Sequence, residues 1–113
     1  GATLEGTAMA PGAATGTVRI VFDPLEAGDL GEGYVLVCPS TDPGWTPLFA
    51  GAAALVVERG GVLSHGAIVA RDFGIPAVAC EGATRRLADG QTVSVDGTGG
   101  RVFVREETAC SAG

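Results

Sequence analysis

Gly60-Gly61-Val62-Leu63-Ser64-His65-Gly66-Ala67-Ile68-Val69-Ala70-Arg71-Asp72-Phe73-Gly74-Ile75-Pro76 holds the chain's single histidine, and its reading decides the rest. Before it runs Ala53-Ala54-Leu55-Val56-Val57, and after it Ala77-Val78-Ala79-Cys80, two apolar runs of strand length. Between them the apolar spacing changes to that of a helix. Gly60 and Gly61 precede that helix, and Gly74 and Pro76 close it, because Gly suits the left-handed position after a helix and Pro bars continuation. Strand, loop, helix and returning strand make a βαβ unit, with His65 where the loop enters the helix and Ser64 placed as its N-cap.

Working outward, residues 34–38 form a continuous apolar run between Gly33 and Pro39, as expected of a strand buried on both faces. A loop follows over 40–44, and Thr46 with Pro47 marks a helix start running to about residue 52. Residues 11–16 read as a turn and 17–22 as a strand, with Asp23 as N-cap and Pro24 at the first position of a short helical element. The glycine-rich stretch 28–33 is too irregular for regular structure and precedes a strand instead of a helix, so no ligand is assigned to it. One helical turn over 84–88, a tight turn at Asp89-Gly90, and a hairpin of 91–96 with 101–104 across Gly97-Thr98-Gly99-Gly100 complete the reading. The expected organisation is one α/β domain over 11–105, with a small central sheet, flanking short helices and a C-terminal hairpin. Residues 1–10 show no clear period and read as a linker or arm, and the small, polar residues 106–113 as a mobile tail.

Composition excludes several functions. The 113 residues carry a net charge of −6, no lysine, and seven arginines spread along the chain, so the basic face that nucleic acid requires is missing. The longest apolar run, residues 50–57, is far too short to span a bilayer, and a cytoplasmic location is the expectation. Cys38, Cys80 and Cys110 lack metal-ligand spacing, and one histidine adds too little to assemble a zinc site. Cys38 and Cys80 lie in apolar runs and read as small core residues, Cys110 as part of the exposed tail.

The chemistry of the central stretch is that of an anion site. The first turn of a helix carries unpaired N–H groups and the positive end of the helix dipole, which suit a phosphoryl group. An imidazole at that point is a nitrogen nucleophile set against a place for the charge it would gain. Ser64 is a nucleophile, a regulatory phosphosite or a cap, and the cap is favoured. A serine hydrolase is excluded: the nucleophile elbow needs Gly two residues before the serine, where Val62 stands, and no second histidine is available as base. Phosphoryl transfer from ATP also needs a phosphate cradle, a cationic cluster and carboxylates for magnesium. This chain has no phosphate-loop motif to supply them.

These residues resemble the phosphohistidine, or swivelling, domain of phosphoenolpyruvate (PEP)-utilising enzymes, a family that includes PEP synthase, pyruvate phosphate dikinase, enzyme I and rifampicin phosphotransferase. The family pattern is matched by Gly60-Gly61, Ser64, His65, Ala67, Ala70-Arg71 and Gly74-Ile75-Pro76. Gly66 departs from it, standing where Ala is commoner. Three further blocks match in order: Pro11-Gly12-Ala13-Ala14-Thr15-Gly16, the stretch from Asp42 to Phe49, and Asp89-Gly90 with Val95-Asp96-Gly97. The resemblance implies that His65 accepts a phosphoryl group from a separate ATP-grasp nucleotide domain, or from PEP, and passes it to an acceptor such as pyruvate or a rifampicin-like small molecule. ATP and magnesium would then sit on the partner domain and no cofactor on this one. Ser64, Gly60, Gly61, Gly66 and Arg71 would support His65, Arg71 by neutralising the phosphoryl group or by a structural ion pair. The loop holding Thr41, Asp42, Trp45 and Thr46 would approach the histidine. A free-standing phosphocarrier, or a non-catalytic interaction module of the same fold, remains the alternative.

Overall fold

The computed structural model describes residues 3–28, 30–59 and 64–105. The apolar run before Pro39 is strand β4 (Tyr34–Cys38), whose residues are all buried. It pairs in parallel with β3 (Ala13–Ile20) on one side and β5 (Ala52–Val57) on the other. Helix α1 (Thr46–Phe49) joins β4 to β5, and α2 (His65–Phe73) joins β5 to β6 (Ala77–Ala79), which pairs with β5 in parallel. The short helix α3 (Ala83–Arg86) then leads to the antiparallel hairpin of β7 (Thr92–Asp96) and β8 (Arg101–Arg105). Asp23 caps a 3₁₀ turn over Pro24–Glu26, its side chain accepting from the Leu25 amide at 3.0 Å. These elements match the sequence reading, although β3 starts inside the stretch read as a turn and α1 ends at Phe49.

The N-terminal segment requires a correction. Residues 3–10, read as a linker or arm, form β1 (Thr3–Glu5), antiparallel to β8, and β2 (Thr7–Ala10), antiparallel to β6. The strand order is β1-β8-β7-β3-β4-β5-β6-β2, so β1 and β2 stand at opposite ends of an eight-stranded sheet. Only Gly6 separates them in the chain, and consecutive Cα atoms are about 3.8 Å apart. The two ends of the sheet must therefore meet, and the sheet curls round on itself. Close packing at this seam explains its glycines. A Cβ on Gly6 would lie 2.1 Å from the Ala79 carbonyl oxygen, and one on Gly97 would lie 1.9 Å from that of Ala10. The sequence showed no period here because each strand is only three or four residues long.

The curled sheet encloses two cores. Along β4 and β5 successive residues alternate between them: Leu36 and Leu55 join Met9, Trp45 and Phe49 under α1 and α2, while Val35, Val37 and Val56 join Val18, Val93 and Val95. Burial on both faces is why β4 reads as an unbroken apolar run. The layers are helices, sheet and curled-over sheet, a β/β/α arrangement with the carboxyl ends of β4 and β5 leading directly into the functional loops.

Candidate functional site

The site is built where β4 and β5 end. The Pro39 carbonyl accepts from the amides of both Glu58 and Arg59 at 3.1 Å, which fixes the loop after β4 against the end of β5. In that loop Asp42 turns the chain. Its carboxylate accepts from the Gly44 amide at 2.9 Å and opens a 3₁₀ turn over Pro43–Trp45, anchored by the buried Trp45. Thr41 is thereby held facing α2, and its Oγ1 lies 3.1 Å from Nδ1 of His65.

His65 is the first residue of α2 and is partly buried. The Phe49 ring meets its imidazole edge-on, with centroids 6.4 Å apart and planes at 71°. One face of contacts thus comes from an aromatic ring and one ring nitrogen is engaged by a hydroxyl. Among the described residues Nε2 has no hydrogen-bond partner. The ring lines a cavity of about 70 Å³ with Met9, Ser40, Thr41, Val57, Arg59, Ser64 and Gly66. A water occupies about 30 Å³ in the liquid, so this space suits a group of a few heavy atoms.

The start of α2 is organised by Ser64, whose backbone is extended and whose hydroxyl accepts from the Ala67 amide at 3.4 Å. Gly74 ends the helix in the left-handed conformation, with φ 74°. Gly66 is buried beneath the site, and a Cβ there would meet Thr41 Oγ1 at 3.0 Å and a Leu55 methyl at 3.3 Å. Its lack of a side chain lets Thr41 approach α2, which is a packing reason for a glycine that costs helix propensity.

The other expected residues divide. Ser64 and Gly66 stand beside His65. Gly60 and Gly61 lie outside the described residues. Arg71 is on α2 but lines a separate cavity with Ala8, Pro11, Gly97 and Thr98. Six residues beyond His65 in an α-helix is about 240° round the axis, so the two side chains leave different faces. The sequence reading passed over Ser40 and Arg59. Arg59 also lines an open groove of about 680 Å³ with Phe22, Glu58, Glu81, Thr84 and Arg85. In sequence Arg59 is one of seven scattered arginines, and only the pinning of two loops to Pro39 brings it to the histidine.

Nearby ionisable groups have structural roles. Glu58 accepts from the Thr84 amide at 2.9 Å and from the Thr84 hydroxyl, which holds its carboxyl below the usual range, with help from Arg85 and Arg59. Burial pushes the Cys38 thiol up to about 12, aided by the charge of Glu58, and burial also raises Cys80. Both cysteines are buried and unpaired, as read from sequence, while Cys110 lies outside the described residues. Among the described residues no group of three or more His, Cys, Asp or Glu side chains is placed to hold a metal ion. None of the described helices is long and apolar enough to cross a membrane.

The chain as a whole is similar to known proteins. The family model described as "PEP-utilising enzyme, mobile domain" matches residues 30–100. An uncharacterized phosphotransferase, YvkC of Bacillus subtilis, is 48% identical over 102 residues, covering 89% of this chain and 12% of that protein. A rifampicin phosphotransferase of Streptomyces sviceus is 47% identical over 102 residues, with the same 89% and 12% coverage. The chain thus spans about an eighth of the length of these relatives. Among solved structures, an Enzyme I protein studied in solution aligns with a TM-score of 0.61 at 32% identity, covering 74% of this chain and 37% of that one.

Proposed function

Because this chain belongs to the mobile-domain family of PEP-utilising enzymes, we propose that it is a phosphohistidine carrier, with Nε2 of His65 as the atom that bears the phosphoryl group. The observation that carries this reading is the contact between Thr41 Oγ1 and His65 Nδ1 at 3.1 Å. With Thr41 accepting from Nδ1–H, the proton is kept on that nitrogen and the lone pair on Nε2.

In the loading step the Nε2 lone pair attacks phosphorus, an N–P bond forms, and the P–O bond to the donor breaks, its electron pair leaving with the donor oxygen. The Nδ1 proton stays on the ring, against Thr41. In the unloading step an acceptor oxygen attacks the same phosphorus, the N–P bond breaks with its electrons returning to Nε2, and the acceptor's proton passes to a base on the acceptor domain. Two covalent steps thus replace one direct transfer. The amides of the first turn of α2 support the phosphoryl oxygens in the interval.

We assign the donor chemistry to an ATP-grasp domain of the parent protein, with ATP and magnesium bound there. The acceptor is pyruvate or a small molecule of the rifampicin class, readings supported by the likeness to phosphoenolpyruvate synthase and to rifampicin phosphotransferase alike. The parent works in the cytoplasm, where ATP is supplied and thiols such as Cys38 and Cys80 stay reduced. The test is His65→Ala in the parent protein. It is expected to abolish turnover while this domain keeps the circular-dichroism spectrum of the unaltered protein; a variant that still transfers phosphate removes the proposal.

A further inference from the structure

A phosphoryl group brings about −1.5 to −2 of charge at neutral pH, to a chain whose net charge is already −6. Arg71, for which meeting that charge was one of two expected roles beside a structural ion pair, lines a cavity that His65 does not share. Arg59 is the cation among the described residues lining the histidine cavity, and the same residue borders a larger groove.

Its surroundings leave it available. The Arg59 backbone is fixed by its amide bond to Pro39 O, while its side chain is exposed. Among the described residues the ion pair within 4.0 Å is Arg101 with Glu5, so Arg59 makes none. Its carboxylate neighbour, Glu58, is held by the amide and hydroxyl of Thr84. Asp42, in the loop facing the histidine, is spent on the Gly44 amide. Glu81 borders the groove but not the histidine cavity. An arginine with a fixed backbone, no ion pair within 4.0 Å among the described residues and a place in the wall of the nucleophile's cavity is arranged to meet an anion formed there. Guanidinium suits the task because its planar fork donates to two phosphoryl oxygens at once.

We propose that Arg59 is the phosphoryl-binding cation of this domain, reaching from the rim shared by the two cavities to the oxygens of the group on His65. This rests on the phosphohistidine reading and adds to it the residue that holds the product. Between transfers the guanidinium lies at the groove; on loading it pairs with the phosphoryl dianion, and on docking it can be drawn off by the acceptor domain.

The test phosphorylates this chain with phosphoramidate and follows the phosphohistidine resonance by ³¹P NMR as pH is varied. A cation beside the phosphoryl group favours its dianion. Arg59→Gln should therefore raise the midpoint of that titration by about half a unit, roughly a threefold change in proton affinity. Arg59→Lys should retain most of the unaltered behaviour, Arg71→Gln all of it, and about 1 M salt should narrow the gap. A phosphorylated His65 whose titration ignores Arg59, or follows Arg71, overturns the inference alone. A folded chain whose His65 takes up no phosphoryl group overturns the carrier reading and this inference together.

Discussion

At the scale of residues, the site depends on a few contacts that orient one imidazole. Removing the Thr41 hydroxyl in Thr41→Val leaves the Nδ1 proton without its partner at 3.1 Å. A neutral hydrogen bond is worth about 0.5–1.5 kcal/mol net. The rate of His65 phosphorylation is therefore expected to fall by about two- to twelvefold, and a ¹⁵N spectrum of the ring should show a mixture of tautomers in place of one. An unchanged tautomer in the variant contradicts this role for Thr41. The buried thiols behave in the opposite way, as groups kept out of chemistry. With Cys38 pushed up to about 12 and Cys80 also raised, neither should react with iodoacetamide at neutral pH until the protein is unfolded. Rapid labelling of the native protein at Cys38 would count against the packing of β4. The sign of the linkage follows: a raised folded value contributes stability below the unfolded thiol range that is lost as pH rises toward 12.

At the scale of elements, the βαβ unit around His65 was legible because each of its signals is local. Ser64 caps, Gly74 turns left-handed and Pro76 stops the helix, all within one stretch. The relation of α2 to the loop after β4 was legible only through the family pattern, since 24 residues separate Thr41 from His65. Arg59 adjoins that pattern at Gly60, but nothing in the sequence places it in the same cavity wall as the histidine. The anchoring of α3 is similar: Glu58, just after β5, accepts from the Thr84 amide across 26 residues. The depressed folded value of Glu58 means that its contribution to stability is present above the ordinary carboxylate range and lost as pH falls through the folded value. Glu58→Gln is thus expected to lower the urea midpoint at pH 7. The difference from the unaltered protein should shrink as the solution is acidified below pH 4 or so, the ordinary glutamate range. A gap that stays constant down to the acid limit would show that the charge of Glu58 does not matter to the fold.

At the scale of the whole molecule, the chief surprise is the closure of the sheet by residues 3–10. Their strands are too short to display a period, and their partners β6 and β8 lie some 70 to 100 residues away, so only the folded chain reveals them. Gly6 is the point at which the two ends join. A Cβ placed 2.1 Å from a backbone oxygen must move one strand or the other. Gly6→Ala is expected to cost about 3 kcal/mol or more of unfolding free energy, read by urea denaturation; a loss within 0.5 kcal/mol would deny the seam its role. A sheet closed on itself, with a core on either face, gives the rigid body that a carrier must have if His65 is to meet two different domains in the same geometry. The measurement that tests this account most directly is to incubate the parent protein with ATP and magnesium and map the bound phosphate by mass spectrometry under alkaline conditions. The expected result is an acid-labile, base-stable phosphate on Nε2 of His65; a phosphate found on Ser64 instead, or none on this domain while turnover proceeds, would contradict the carrier role.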